Sequence, residues 1–135
     1  MPIPTVDYLA VLVAAVAGFA FGAVWYMALG RAWMAALGKT EEEVQANSIP
    51  KVFVVAFLAQ LVMAWLLAGL TDHMGARGSL ADGLAVGFYA WLGFVMTTMV
   101  VNYGFQGQRR MLTVIDGGHW LGVLLIQALV IGLFA

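Results

Sequence analysis

Long apolar segments dominate the chain, and its polar residues fall mainly between them. Four segments are almost uninterruptedly apolar, at about 7–29, 50–70, 80–103 and 112–134. Roughly 20 helical residues cross a bilayer core about 30 Å thick, at about 1.5 Å per residue. Runs this long without strand alternation are helical, because each must satisfy its own backbone in lipid. The pattern predicts an all-α fold, an integral membrane four-helix bundle, as a single transmembrane domain over residues 1–135.

Polar residues between the first two spans predict a short helix at the membrane surface. Thr40 and Glu43 have the spacing of a capping box, in which each side chain bonds the backbone of the other. Thr5 or Asp7 suits the cap of the first span. The segment 31–34 mixes a cation, an aromatic and apolar residues, which fits either the bilayer boundary or an extension of the first span.

Two short glycine patterns resemble each other. Gly18 and Gly22 in the first span, and Gly83 and Gly87 in the third, each belong to a G-x-A-x-G sequence. The likeness predicts two parallel helical hairpins related by an axis along the membrane normal, with chance recurrence as the alternative. Small residues four positions apart allow close helix packing, either inside one bundle or with another subunit.

Composition supports the membrane assignment and excludes several classes of protein. The chain is 64% hydrophobic and 10% charged, whereas soluble domains average about 45–50% and about 25%. A net charge of -1 without a basic stripe argues against nucleic-acid binding. The chain contains no cysteine, which excludes disulfides, thiolate metal sites and cysteine nucleophiles.

The distribution of cations predicts an orientation. The loops after the first and third spans carry five of the six Lys and Arg residues, and only Arg77 lies on the opposite side. Cationic flanks are retained in the cytoplasm, so both termini should lie outside. The first apolar run is too long for a signal-peptide core and should be a retained helix. The cytoplasmic cations are Arg31, Lys39, Lys51, Arg109 and Arg110.

The fourth span carries the strongest candidate for chemistry. Asp116, His119 and Gln127 share one helical face, and ionisable groups at membrane depth often belong to ion or proton paths. The alternative places Asp116 among headgroups, paired with Arg109 and Arg110. Two ligands, Asp116 and His119, are too few for a catalytic zinc, so we expect no metal site.

Other polar and aromatic residues are candidates for the polar path, for contacts between helices or for anchoring at the bilayer interface. Gln60 in the second span and Asn102 in the third can line a polar path or bond across helices. No catalytic set or cofactor-binding fingerprint appears, so we expect neither an enzyme nor a cofactor. Aromatic residues suited to anchoring at the bilayer interface are Trp25, Tyr26, Trp33 and Trp120.

Several of these residues belong to motifs that resemble a known family. The stretch 22–33 reads G-x-x-W-Y-x-x-L-G-x-x-W, and the connector 38–42 and the segment 115–121, preceded by Phe105 and Arg109, extend the likeness over nearly the whole chain. This sequence resembles the domain of unknown function 1761 family. The resemblance implies a small bacterial protein with four membrane helices, and it implies no activity, substrate or catalytic residue.

Two functional hypotheses follow. The first is a non-enzymatic subunit of the bacterial inner membrane that self-associates, or joins a larger complex, through its glycine-rich faces. The second is a small oligomeric channel or transporter with a polar path along the fourth span. Membrane lipid is the expected surrounding partner in both.

Overall fold

Five α-helices make up the part of the chain that the computed structural model describes, residues 6–135. They are α1 (Tyr8–Leu37), α2 (Glu41–Asn47), α3 (Pro50–His73), α4 (Leu80–Phe105) and α5 (Arg110–Leu133). All except α2 are long and apolar enough to cross a bilayer. The predicted all-α four-helix bundle is confirmed, and its composition indicates an integral membrane protein.

The first helix is longer than the sequence pattern predicts. Asp7 caps its start by accepting hydrogen bonds from the backbone N–H groups of Leu9 and Ala10, while Thr5 lies outside the described residues. The helix continues past the expected end near residue 29, because nothing breaks it before Gly38, where φ is +74°. At about 45 Å it exceeds the thickness of a hydrocarbon core. One end of α1 therefore extends beyond the apolar layer.

The short helix α2 starts with the predicted capping box. The Thr40 side chain accepts a hydrogen bond from the Glu43 N–H, and the Glu43 carboxylate accepts one from the Thr40 N–H. Three acidic residues occupy its first turn, where the helix dipole favours negative charge. No residue of α2 is buried, so it lies on the surface of the bundle.

Helix α5 is the centre of the bundle. It packs extensively against α1 and α4 and also touches α3, whereas α3 and α4 touch each other only slightly. If α1 with α3 and α4 with α5 were two equivalent hairpins, the contact between α4 and α3 would be as extensive as the contact between α1 and α5. The two halves are therefore packed unequally, and the hairpin repeat stays a prediction.

The four glycines of the G-x-A-x-G patterns are buried within one chain. A Cβ on Gly22 would lie 2.7 Å from Nε2 of His119, and a Cβ on Gly87 would lie 3.2 Å from the carbonyl oxygen of Leu124. Their small size lets α1 and α4 approach α5 closely. A contact with a second subunit cannot use these faces in this structure, which corrects that part of the first hypothesis.

A π-helical segment, Trp91–Met96, interrupts α4. Tyr103 follows Gly87 by sixteen positions, which places the two about 160° apart on an unbroken α-helix. A π turn contains one extra residue, and it rotates the following residues by about 100°. Both Gly87 and Tyr103 can therefore face α5.

The two ends of the bundle differ in character. The guanidinium of Arg109, between α4 and α5, donates a hydrogen bond to the Ala35 carbonyl near the end of α1 at 2.7 Å. The loops predicted to be cationic thus lie together, at the end that also carries α2, here called the α2 end. At the other end, an apolar cluster joins α1 and α3 through small residues, namely Val11, Ala14, Ala15, Ala64 and Ala68.

We expect Gly87→Leu to lower the free energy of unfolding by about 1–3 kcal/mol, because the new side chain must displace the α5 backbone. Gly93→Leu is the matched control on the same helix, since no atom lies within 4 Å of its Cβ position. Unfolding by sodium dodecyl sulfate in mixed micelles measures both. Equal stability of the two variants would contradict the close α4–α5 packing.

Candidate ligand-binding cavity and its buried carboxylate

Asp116 lies inside the bundle, where two tyrosines hold its side chain. The Tyr26 hydroxyl of α1 donates to Oδ1 at 2.6 Å, and the Tyr103 hydroxyl of α4 donates to Oδ2 at 2.7 Å. The residue is only 9% exposed. Two short hydrogen bonds from hydroxyl groups satisfy both oxygens of an ionised carboxylate. Asp116 thus ties α1 and α4 to the same point of α5.

Two indole groups bond to the α5 backbone beside Asp116. Trp25 donates its Nε1–H to the Ile115 carbonyl at 3.0 Å, and Trp91 donates to the Gly117 carbonyl at 2.8 Å. Trp25 precedes Tyr26 on α1, and Trp91 begins the π segment of α4. Each neighbouring helix therefore contributes one tryptophan and one tyrosine to the same turn of α5.

The paired glycines after Asp116 make room for these contacts. A Cβ on Gly117 would lie 2.8 Å from Sδ of Met96, and a Cβ on Gly118 would lie 2.9 Å from the Trp25 ring. A larger residue at position 118 would have to displace the Trp25 ring, and one at position 117 would have to displace the end of the Met96 side chain. The short sequence 115–118 is therefore the point on which both neighbouring helices converge.

His119 is buried one turn beyond Asp116 and has no hydrogen-bond partner for Nδ1. Its ring lies among aromatic rings, 4.9 Å from Tyr26 and 4.6 Å from Trp120 between centroids. The Asp116 oxygens bond the tyrosine hydroxyls. Asp116 and His119, which share a helical face, therefore make no direct hydrogen bond with each other here.

Deeper in the bundle, two glutamines meet. The Gln127 side-chain amide donates to the Gln60 backbone carbonyl at 3.1 Å, and both residues are almost fully buried. The side-chain oxygens of both have no partner. Gly18 leaves space for this pair, since its Cβ would lie 2.8 Å from Oε1 of Gln60.

A cavity of about 640 Å³ opens between α1, α3 and α5 near the α2 end. Asp116, His119 and Gln60 contribute to its wall, together with one face of α2. Much of the remaining wall is aromatic. The aromatic residues that line it are Phe19, Tyr26, Trp33, Phe53 and Trp120.

The cavity is closed toward the other end of the bundle. Beyond Gln60, the helices α1 and α3 pack directly through Ala14, Ala15 and Ala64, none of which is exposed. These small residues leave no polar surface along which water could continue. Within residues 6–135, the polar residues thus line a recess that ends at this apolar contact between α1 and α3.

The structure brings together most of the residues proposed for a polar path, but not all. Asp116, His119 and Gln60 line one cavity, and Gln127 contacts Gln60. Asn102 is exposed on α4 and does not line the cavity.

The structure contradicts the expected pairing of Asp116 with Arg109 and Arg110, and its depth among headgroups stays a prediction. Within residues 6–135 the salt bridge present joins Arg77 to Asp72, and none involves Asp116. Arg109 instead bonds the carbonyl of Ala35. No group of three His, Asp or Glu side chains that could hold a metal occurs in this part of the chain.

The aromatic residues expected at the interface divide into two groups. Trp25 and Tyr26 direct their polar atoms at α5 rather than at headgroups, because partners are available inside the bundle. Trp33 and Trp120 line the cavity. Sequence reasoning missed Trp91, which lies one turn after Gly87 on the same face, and Tyr103, whose contact depends on the π segment of α4.

The fold and this site define a small four-helix membrane protein with a one-sided polar cavity. The chain belongs to the family described as protein of unknown function (DUF1761), whose model matches residues 9–132. No match was found among curated proteins or among solved structures. The two motifs that carry the family resemblance, around Trp25 and around Asp116, meet in space at the buried carboxylate.

We expect Tyr26→Phe and Tyr103→Phe each to lower the free energy of unfolding by about 1.5–3 kcal/mol, because each leaves one buried carboxylate oxygen without its donor. Tyr89→Phe is the control, since Tyr89 is exposed. Denaturation in mixed micelles measures all three. Loss of stability no greater than in the control would show that the hydroxyls do not support Asp116.

Proposed function

We propose that this protein is a non-enzymatic subunit of the bacterial cytoplasmic membrane that binds a small molecule in the cavity at its α2 end. The observation that supports this proposal is a cavity of about 640 Å³ whose wall combines aromatic surface with a few buried polar groups. Small-molecule sites commonly have this composition and a volume of about 300–1,000 Å³. Protein interiors are normally close-packed, and these helices are closely packed at their other ends, so a cavity of this size is a distinct feature of the α2 end.

The contacts of the ionisable groups support binding rather than catalysis. Activation of a nucleophile or general base usually needs a histidine oriented by a hydrogen bond to a carboxylate. Here Asp116 bonds two tyrosines, and Nδ1 of His119 has no partner. The carboxylate is held as a fixed charge in the cavity wall.

As a subunit, the protein would not associate with other chains through the glycine faces. Gly18, Gly22, Gly83 and Gly87 are already covered by neighbouring helices of the same chain. Association with a second copy or with another membrane protein would need a different surface. The ligand-binding role requires only one chain, because α1, α2, α3 and α5 supply the cavity wall.

Transport remains the second candidate function, favoured by the buried polar groups Asp116, His119 and Gln60. A transporter must expose its site to both sides in turn. The apolar contact of Ala14 and Ala15 with α3 would have to open for this to happen. Solute flux in proteoliposomes above that of empty vesicles would favour transport over binding alone.

The orientation in this proposal follows from the cations at the α2 end. Both termini would lie outside, and the cavity would face the cytoplasm. The contact between Arg109 and Ala35 supports a single cationic end, because it joins the two loops that carry most of the Lys and Arg residues.

Single cysteines can test the cavity, since the chain has none of its own. We expect Ala56→Cys, on the cavity wall, to react readily with iodoacetamide, a neutral water-soluble reagent. Val55→Cys is the matched control at nearly the same depth, because its side chain faces outward and lipid disfavours the reactive thiolate. Intact-protein mass spectrometry in lipid nanodiscs gives both rates. Equal slow reaction at both positions would contradict a solvent-accessible cavity.

Labelling of intact cells tests the orientation. Met74→Cys, exposed after α3, should react with a membrane-impermeant maleimide in spheroplasts. Gln106→Cys, exposed between α4 and α5, should react only after the membrane is permeabilised. The opposite order of labelling would place the cavity on the outer side.

A further inference from the structure

We propose that the cavity binds an apolar molecule that carries a protonated amine. The inference rests on the proposed binding function and adds the chemical class of the ligand. Three features of the wall support it: an uncompensated negative charge, polar atoms without partners, and aromatic surface.

The first feature is charge. Among the lining residues are two carboxylates, Asp116 and Glu41, and no Lys or Arg. Asp116 is buried, and its two tyrosine partners supply hydrogen bonds but no positive charge. Buried charges in proteins are normally paired, because an isolated ion is costly away from water. A cationic ligand would supply the missing charge.

The second feature is a pair of wall residues whose polar atoms have no partner. Oε1 of Gln60 has no hydrogen-bond partner, and Gln60 is 3% exposed. Nδ1 of His119 is likewise buried without a partner, and both residues line the cavity. The Gln60 oxygen can only accept, and leaving it unsatisfied costs free energy, so a donating ligand toward which this side chain turns is favoured. An ammonium group combines several N–H donors with positive charge.

The third feature is the aromatic wall. Tyr26 and Trp33 lie with ring centroids 5.5 Å apart, and Trp120 lies against His119 on the α5 side. Aromatic faces attract cations and also cover the apolar part of a ligand. An anion would instead meet two carboxylates and these ring faces. The wall therefore favours an apolar cation over an anion of the same shape.

Two small molecules of matched shape separate these possibilities. Phenethylammonium and 3-phenylpropionate differ mainly in the sign of their charge. Binding of either can be followed by the intrinsic fluorescence of Trp33 and Trp120, which line the cavity. We expect the full chain in zwitterionic nanodiscs to bind the amine and to show no saturable binding of the carboxylate. Equal affinity for both would overturn the inference.

Phenethyltrimethylammonium should bind more weakly than phenethylammonium, because it lacks N–H donors. Equal affinity for these two cations would overturn the assignment to a protonated amine.

The residue dependence gives a second arm. Asp116→Asn should weaken binding of phenethylammonium by about tenfold or more, because it removes the buried charge while preserving side-chain shape. Asp82→Asn is the control, since Asp82 is exposed and lies outside this cavity. Unchanged affinity in Asp116→Asn would overturn the role of this carboxylate.

A protection experiment keeps the test independent of the folding of that variant. With Asp116 intact, phenethylammonium should slow the reaction of Ala56→Cys with iodoacetamide, and 3-phenylpropionate should not. A reactive cysteine that the amine fails to protect would overturn the ligand class and leave the binding cavity intact. An unreactive cysteine would overturn the proposed function itself.

Discussion

The buried carboxylate of Asp116 is the constraint on which the arrangement of the helices depends. An ionised group within a membrane is costly unless other protein groups replace its water. Tyr26 and Tyr103 do this from opposite neighbours of α5, at 2.6 and 2.7 Å. Because burying leucine gains little over lipid tails, such polar contacts and close backbone approach must select the packing. The paired glycines after Asp116 permit that approach, and the neighbouring indoles bond the carbonyls on either side.

The size of the side chains along α1 explains the shape of the cavity. At one end α1 and α3 meet through alanines, and their axes can come close together. At the other end α1 carries tyrosine and tryptophan on the face that lines the cavity. These larger side chains line the same cavity as α2. Close packing and the cavity thus occupy different halves of the same helices, with the glutamine pair near the boundary.

The sequence was sufficient for the elements but only partly sufficient for the site. Apolar runs predicted four spans, and Thr40 with Glu43 predicted α2, since both signals are local. Asp116, His119 and Gln60 could be selected because polar residues are rare in such spans. Tyr103 could not, because an aromatic residue near the end of a span usually indicates the interface, and regular helical periodicity places it away from α5. The π segment that redirects it has no signal in hydrophobic periodicity.

The alanine contact beyond Gln60 has a consequence for the cell that would contain this protein. A charged pocket inside a membrane is a hazard if water and ions can pass through it, since the electrochemical gradient would then be dissipated. Here the apolar contact of Ala14, Ala15 and Ala64 lies between the polar groups and the far end of the bundle. A protein built in this way can hold polar side chains among its helices without offering water a route along that contact.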